Sequence, residues 1–186
     1  MKRIVLTGPP CSGKTTVSTA LAAMLPNFVV VPEAATQVYS ADATRWDLLD
    51  LAGRKDCQRR IYQLQLRQEA EYAERHPDKN LLLDRGTLDG AVYWPDGSEA
   101  YWREMGTNLE EELRRYDHVI FMETAATIGV YGFSTNACRF EDAQAAIANG
   151  RALAALWGKH PKLVTVPAFE SVEEKVAAVK GILQQG

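Results

Sequence analysis

One eight-residue string constrains the fold of this chain more than any other part of its sequence. Residues 8–15 read Gly-Pro-Pro-Cys-Ser-Gly-Lys-Thr and satisfy the pattern G-x-x-x-x-G-K-[ST]. An apolar run at residues 4–6 precedes the string, and apolar residues recur behind it at helical spacing until Pro26. The sequence therefore predicts a strand, a glycine-rich loop and a helix, in that order.

The string has the composition of a phosphate-binding loop. Backbone N–H groups converge at the start of a helix, where the helix dipole favours negative charge. Lys14 is expected to neutralise the β- and γ-phosphates of ATP, and the Thr15 hydroxyl to coordinate Mg²⁺. The predicted nucleotide-binding set is Gly8, Cys11, Ser12, Gly13, Lys14, Thr15 and Thr16. The alternative is a glycine-rich turn whose lysine is merely solvated.

Cys11 lies at the mouth of the predicted helix, where a thiolate would be favoured and its oxidation could block nucleotide binding. The simpler interpretation is a small loop residue without a redox role, and we favour it. Both interpretations keep Cys11 in the nucleotide-binding set.

Composition narrows the class of protein. The 186 residues contain 21 Lys and Arg against 24 Asp and Glu, a formal net charge of −3, which argues against binding to duplex nucleic acid or a membrane. Three widely spaced cysteines offer neither a disulfide framework nor paired metal ligands, so we expect a reducing cytoplasm. No repeat or linker divides the chain, which predicts one domain over residues 1–186 and leaves room for a homo-oligomer.

Strand and helix patterns alternate along the chain. Apolar or β-branched runs predict strands at residues 4–6, 28–31, 81–83, 119–122 and 163–166. The longest helical pattern covers residues 53–75, with Cys57, Ile61 and Leu64 on its apolar face. Capping-box spacing at Thr107 with Glu110 and at Ser171 with Glu174 predicts two more helix starts. This alternation indicates an α/β fold with a mainly parallel sheet covered on both faces.

Residues that follow the predicted strands are the candidates for an active site, because the ligand crevice of a parallel sheet lies beyond the carboxyl ends of its strands. Asp84 closes an apolar strand and is expected to hold Mg²⁺, the alternative being a helix cap or surface carboxylate. Arg85 is expected to bind phosphate, or else to pair structurally with Asp84 or Glu33. Glu33 is a candidate general base, with pairing to Arg85 as an equal alternative.

Two further segments suit a site of this kind. Residues 125–140 are rich in Gly, Thr and Ser, and we expect a lid over approximately residues 125–150 that delivers Arg139, and less strongly Arg151, to the transferring phosphoryl group. Their alternative is a solvated helix face. Tyr93 and Trp94 either stack on an aromatic acceptor or, as we favour, anchor their segment (residues 89–97) to the core.

Taken together, these motifs resemble the AAA-like P-loop domain family that contains the nicotinamide riboside kinase domain of NadR. The resemblance rests on residues 7–16, the Pro-Glu-Ala-Ala at 32–35, the Leu-Leu-Asp-Arg-Gly-Thr at 82–87, a long helix containing residues 63–69, and the late Arg-Phe-Glu at 139–141. It implies a three-layer P-loop NTPase fold with strand order 2-3-1-4-5 and a kinase-like lid. It also implies ATP and Mg²⁺ as ligands and a small-molecule acceptor, of which nicotinamide riboside is one candidate.

The function we expect is therefore an ATP- and Mg²⁺-dependent phosphotransferase acting on a small hydroxyl or phosphate acceptor. An ATPase or nucleotide switch that acts on a protein partner is the main alternative, and a nucleotide-binding module without turnover is the third. The chain has no Asn/Thr-Lys-x-Asp string for guanine and no Leu-Ser-Gly-Gly-Gln signature. Too little sequence follows the fifth strand for the helical domain of a ring-forming ATPase.

Overall fold

The structure, a computed structural model, describes residues 1–10, 12–41, 45–124 and 143–185. Its strands are β1 (Arg3–Thr7), β2 (Phe28–Val31), β3 (Asn80–Asp84), β4 (His118–Met122) and β5 (Leu163–Val166). Its helices are α1 (Lys14–Met24), α2 (Ala34–Ala41), α3 (Leu51–Arg75), α4 (Asp89–Tyr93), α5 (Ser98–Met105), α6 (Leu109–Arg114), α7 (Ala143–Trp157) and α8 (Val172–Gln185). A short 3₁₀ turn, Trp46–Leu48, precedes α3.

In the described part of the chain, the strands form one parallel sheet in the order β2-β3-β1-β4-β5. Both the predicted strands and the order implied by the family resemblance are confirmed. The central strands are buried on both faces, as their unbroken apolar runs predict; Leu81, Leu82 and Leu83 of β3 are all fully buried. The reversal of strand order at β1 opens a crevice at the carboxyl edge, where the predicted site residues lie.

Helices cover both faces of this sheet and enclose a core on each. On one face, α1 and α8 pack with Leu6, Leu21 and Val179. On the other, α3, α4, α5 and α7 pack around aromatic residues that include Tyr101 and Trp157. Within the described parts of the chain, no helix has the length and apolar character needed to cross a membrane.

The buried face of α3 differs from the predicted one. Cys57 is buried, but Ile61 and Leu64 are only partly buried. The fully packed face is instead largely polar, with the buried residues Cys57, Gln58, Tyr62, Gln65, Gln68 and Glu69. Hydrophobic periodicity cannot identify such a face, because its polar groups are stabilised by long-range hydrogen bonds.

Local helix starts are partly as predicted. Ser171 caps α8, since its Oγ accepts a hydrogen bond from the Glu174 backbone N–H at 3.2 Å. The predicted Thr107–Glu110 box is wrong by one residue: Asn108 caps α6 by accepting from the Glu111 N–H at 3.0 Å. Thr107 turns inward and donates to Glu112 at 2.8 Å.

Candidate active site

The glycine-rich loop joins β1 to α1 and has the geometry that its sequence predicts. Gly8 has φ +139°, and a Cβ built on it would lie 2.2 Å from the Met122 carbonyl oxygen of β4. Gly13 has φ +88° and directly precedes α1. Only glycine fits both requirements at position 8, the left-handed backbone and the contact with β4.

Lys14 is buried against the inside of this loop. Its Nζ donates to the Gly8 carbonyl at 2.8 Å, to the Pro9 carbonyl at 2.9 Å and to the Ser12 hydroxyl at 3.1 Å. The side chain thus holds a positive charge over the mouth of the loop, where a bound polyphosphate would meet it.

Thr15 and Asp84 meet across the crevice. The Thr15 hydroxyl donates to Asp84 Oδ2 at 2.7 Å, and Asp84 Oδ1 has no hydrogen-bond partner among the described residues. Burial raises the pKa of Asp84, the charge of Glu33 raises it further, and Lys14 and Thr15 oppose the shift.

This pair fits a magnesium ion. Mg²⁺ prefers oxygen ligands and usually takes one or two carboxylates together with substrate phosphates and water. Asp84 offers a buried carboxylate with a spare oxygen, and Thr15 offers a hydroxyl beside it. Among the described residues, no three His, Cys, Asp or Glu side chains are placed so that they could hold a metal ion together, so the ion would depend on phosphate for its remaining ligands.

Arg85 is the centre of a buried ion cluster. Its Nε donates to Glu33 at 2.5 Å, and its Nη1 donates to Asp89 at 2.8 Å and to the Gly8 carbonyl at 3.3 Å. Burial alone would lower the pKa of Arg85, but the neighbouring carboxylates, Glu33 above all, hold it well above its ordinary value. Its φ of +78° is unusual for a non-glycine residue and costs about 1–3 kcal/mol.

Asp89 is the member of this cluster that sequence reasoning missed. Besides Arg85 it accepts from the Thr7 hydroxyl at 2.9 Å and from Trp157 Nε1 at 2.7 Å. Its one available signal was its spacing, four residues after Arg85. The partners on β1 and α7 are remote in sequence and gave no local pattern.

A cavity that is partly open to solvent adjoins the loop and the ion cluster; its space, open solvent included, is about 820 Å³. Pro10, Glu33 and Arg85 lie in its wall. The rest is largely aromatic and amide-bearing, with Tyr39, Trp46, Gln58, Tyr62, Gln65, Tyr93 and Tyr101 among the lining residues. Burial raises the pKa of Tyr39 above its ordinary value, so this phenol stays neutral at physiological pH.

Behind the cavity, two buried carboxylates hold the loop after β3 in place. Glu112 accepts from Thr87 Oγ1 at 2.5 Å and from Tyr62 OH at 2.7 Å. Glu69 accepts from Arg115 Nη2 at 2.7 Å and from Tyr116 OH at 3.0 Å. Neither carboxylate could be assigned from the sequence, because both lie in helical patterns typical of surface residues.

The remaining predicted residues divide into three groups. Cys11, Arg139 and the first part of the expected lid, up to residue 142, lie outside the described residues. Arg151 is exposed on α7, as the solvated alternative predicts. Segment 89–97 begins with α4; Tyr93 lines the cavity, whereas Trp94 is buried in the core.

Helix α7 contacts both halves of the site. A Cβ on Gly150 would lie 3.1 Å from Pro9 Cγ, and a Cβ on Gly86 would lie 2.8 Å from Trp157 Cη2. Helix α7 therefore packs closely against both the phosphate loop and the loop that carries Arg85.

Residues 3–175 match a family described as an AAA domain. The chain belongs to this family. The P-loop and the strand that ends in Asp84 both fall inside the matched range. Among curated proteins, none matches this AAA domain significantly.

Solved structures share its fold. Deoxyadenosine kinase from M. mycoides with bound dATP superposes with a TM-score of 0.67 at 16% sequence identity, over 98% of this chain and 99% of that one. The same enzyme with the products dCMP and a flexible dCDP gives a TM-score of 0.53 at 12% identity, over 99% and 100%. At such identities the likeness establishes the fold of this AAA domain, a P-loop fold shared with a kinase.

Proposed function

We propose that this AAA domain is an ATP- and Mg²⁺-dependent phosphotransferase whose acceptor is a small molecule of the nucleoside, nucleotide or riboside class. One observation carries the proposal: a partly open, aromatic-lined cavity has Pro10 of the phosphate loop and the Arg85–Glu33 pair in its wall. A protein-directed ATPase has no need of an aromatic-lined cavity for a second small molecule beside its nucleotide.

The nucleotide would bind at the glycine-rich loop. Backbone N–H groups at the start of α1 and the Lys14 ammonium would hold the β- and γ-phosphates. Thr15 and Asp84 would hold Mg²⁺, which when bound neutralises phosphate charge and aligns the phosphate oxygens. Arg139, from the expected lid, would supply further positive charge.

Glu33 would orient the acceptor hydroxyl and accept its proton. Its ion pair with Arg85 fixes the position of this carboxylate in the wall of the cavity. Phosphoryl transfer proceeds through a loose transition state that needs positioning and charge neutralisation more than strong base catalysis. A paired Glu33 therefore suits the reaction, and the predicted pairing and the predicted catalytic role are compatible.

The shape of the cavity favours a flat, polar acceptor. Tyr39, Tyr62 and Tyr93 offer aromatic surfaces for stacking, and the buried Gln58 offers an amide for hydrogen bonds. The nucleotide ligands of the deoxyadenosine kinase structures agree with this class, and nicotinamide riboside remains a candidate within it. We also propose the cytoplasm as the compartment, from the cysteine usage.

A screen of nucleosides, nucleotides and ribosides with ATP tests the proposal. Both ADP and the phosphorylated acceptor are measured, with and without Mg²⁺. We expect an acceptor that raises ADP release many-fold and appears as phosphorylated product. ADP release that no acceptor stimulates would support the ATPase alternative instead.

A further inference from the structure

A second lysine lies against the phosphate loop and takes no part in the P-loop pattern. Lys175 comes from α8, 163 residues beyond Ser12, and it is buried, with a relative exposure of 7%. Its Nζ donates to the Ser12 carbonyl at 3.3 Å and would lie 3.7 Å from a Cβ built on Gly13. Helix α8, which packs with α1 in one core, thus brings a cation to the loop.

No protein charge compensates this cation within the described residues. Its only hydrogen-bond acceptor there is the neutral Ser12 carbonyl, at the long end of the range. Glu173 and Glu174 are its neighbours in sequence, but both are exposed and neither forms a salt bridge with it. Burial accordingly lowers the pKa of Lys175 from its ordinary value.

Besides its burial, the position of Lys175 on α8 makes its positive charge unfavourable. The helix begins at Val172, so Lys175 lies in its first turn, where the helix dipole repels a positive charge. A buried cation without a counter-ion is unfavourable for the free protein. An anion at the phosphate loop would relieve both costs, because it would pair with the ammonium in a partly desolvated place.

We propose that Lys175 binds a phosphate group of the nucleoside triphosphate held by the glycine-rich loop, as a second lysine beside Lys14. The inference rests on the proposed nucleotide binding and extends it to a residue outside every motif of the sequence. The protein tolerates the buried charge because its partner is the ligand.

A purely structural alternative assigns Lys175 to bracing the loop through Ser12. The two roles predict opposite effects on the free protein. Removal of a ligand-directed charge leaves the free protein as stable as before or more stable, whereas removal of a brace destabilises it. They also differ in salt dependence, since only a phosphate contact contributes to the ionic-strength dependence of binding.

The experiment compares Lys175→Met with Lys180→Met. Methionine keeps the length and the apolar stem of lysine. Lys180 lies on the same helix, is partly exposed and makes the same charge change. The melting midpoint Tm of each free protein is measured, together with the Kd for Mg·ATP and for inorganic tripolyphosphate between about 50 and about 300 mM salt.

For Lys175→Met we expect Kd for both ligands to rise about tenfold, equivalent to about 1.4 kcal/mol. The dependence of log Kd on log salt should become shallower, and the Tm of the free protein should stay unchanged or rise. Lys180→Met should behave as wild type.

Three outcomes would overturn the inference: a Kd within twofold of the Lys180→Met value, an unchanged salt dependence, or a free protein that melts well below wild type or does not fold. The proposed function fails separately. Wild-type protein that binds neither ATP nor tripolyphosphate would refute nucleotide binding itself, whereas wild-type binding with an unaffected Lys175→Met variant refutes only the role of Lys175.

Discussion

Replacing Asp84 by asparagine should stabilise the free protein while removing its response to Mg²⁺. The carboxylate is buried, faces the like charge of Glu33, and has one oxygen without a hydrogen-bond partner among the described residues. The asparagine side chain would keep an oxygen to accept from Thr15 and would lose the charge. The substitution Asp84→Asn therefore separates the cost of the carboxylate in the free protein from its use with a cation.

The magnitude follows from the burial of this group. An unsatisfied buried polar group costs about 1–3 kcal/mol, and more when it is charged. The asparagine NH₂ would also lack a partner, so the gain is only the difference between a charged and a neutral group, about 1 kcal/mol. For a domain of this size this raises Tm by roughly 2–4 °C. Wild-type protein with Mg·ATP at about 100 times its Kd should gain about 2.7 kcal/mol, or roughly 5–10 °C. Asp84→Asn should lose most of the part of this gain that requires Mg²⁺.

The pH dependence of stability tests independently whether the Asp84 carboxylate destabilises the free protein. The pKa of Asp84 is raised in the folded protein, so its contribution to stability is complete below the unfolded pKa of about 3.9 and is lost as pH rises through the folded value. The stability difference between Asp84→Asn and wild type should therefore be largest at neutral pH and should shrink toward pH 4.

Thermal unfolding with and without Mg·ATP, at pH 7 and near pH 4, measures these quantities. Asp56→Asn is the matched control, since Asp56 is exposed on α3 and away from the site. A variant that melts below wild type at pH 7 and keeps its full Mg²⁺ response would refute the reasoning. It would make Asp84 a structural partner of Thr15.

Three other changes test separate parts of the site. Glu33→Gln should lower kcat more than it weakens ATP binding, and equal losses in the two would make Glu33 structural. Gly8→Ala should destabilise the fold by about 2–5 kcal/mol in denaturant titrations, because its Cβ would clash with β4 and its backbone is left-handed. The control Gly181→Ala, which has open space around it in α8, should be neutral or stabilising. Trp157→Phe should remove the bond to Asp89, worth about 1–1.5 kcal/mol or roughly 2–6 °C in Tm, and should also leave a cavity beside Gly86, so Tm should fall by more than that bond accounts for.

The sequence was sufficient to predict those parts of the fold that a local pattern determines. The strands are short apolar runs with clear ends, and β2 and β5 have the predicted bounds, residues 28–31 and 163–166. The phosphate loop follows from the two glycines and the lysine, whose spacing is required by backbone geometry. Asp84 and Arg85 were accessible because parallel strands deliver their final residues to one edge.

Polar contacts between residues remote in sequence could not be predicted from local patterns. The buried face of α3 carries Gln65 and Glu69, whose residue types are typical of a protein surface. They are buried because Glu69 accepts hydrogen bonds from Gln65 and also from Tyr116 and Arg115, which are remote in sequence. Asp89 likewise gains its role from Thr7 and Trp157. Such groups are stabilised by partners, and only the fold determines which partners they have.

The proposed reaction transfers a phosphoryl group from ATP to a small acceptor. It is tested most directly by measuring where a label on the γ-phosphate ends up. Purified wild-type protein and Lys14→Ala are incubated with Mg·ATP carrying the label and with the best acceptor from the screen. With wild type we expect label in the acceptor in a one-to-one ratio to ADP, and with Lys14→Ala we expect none. Label found only as inorganic phosphate, or equal transfer by both proteins, would contradict it.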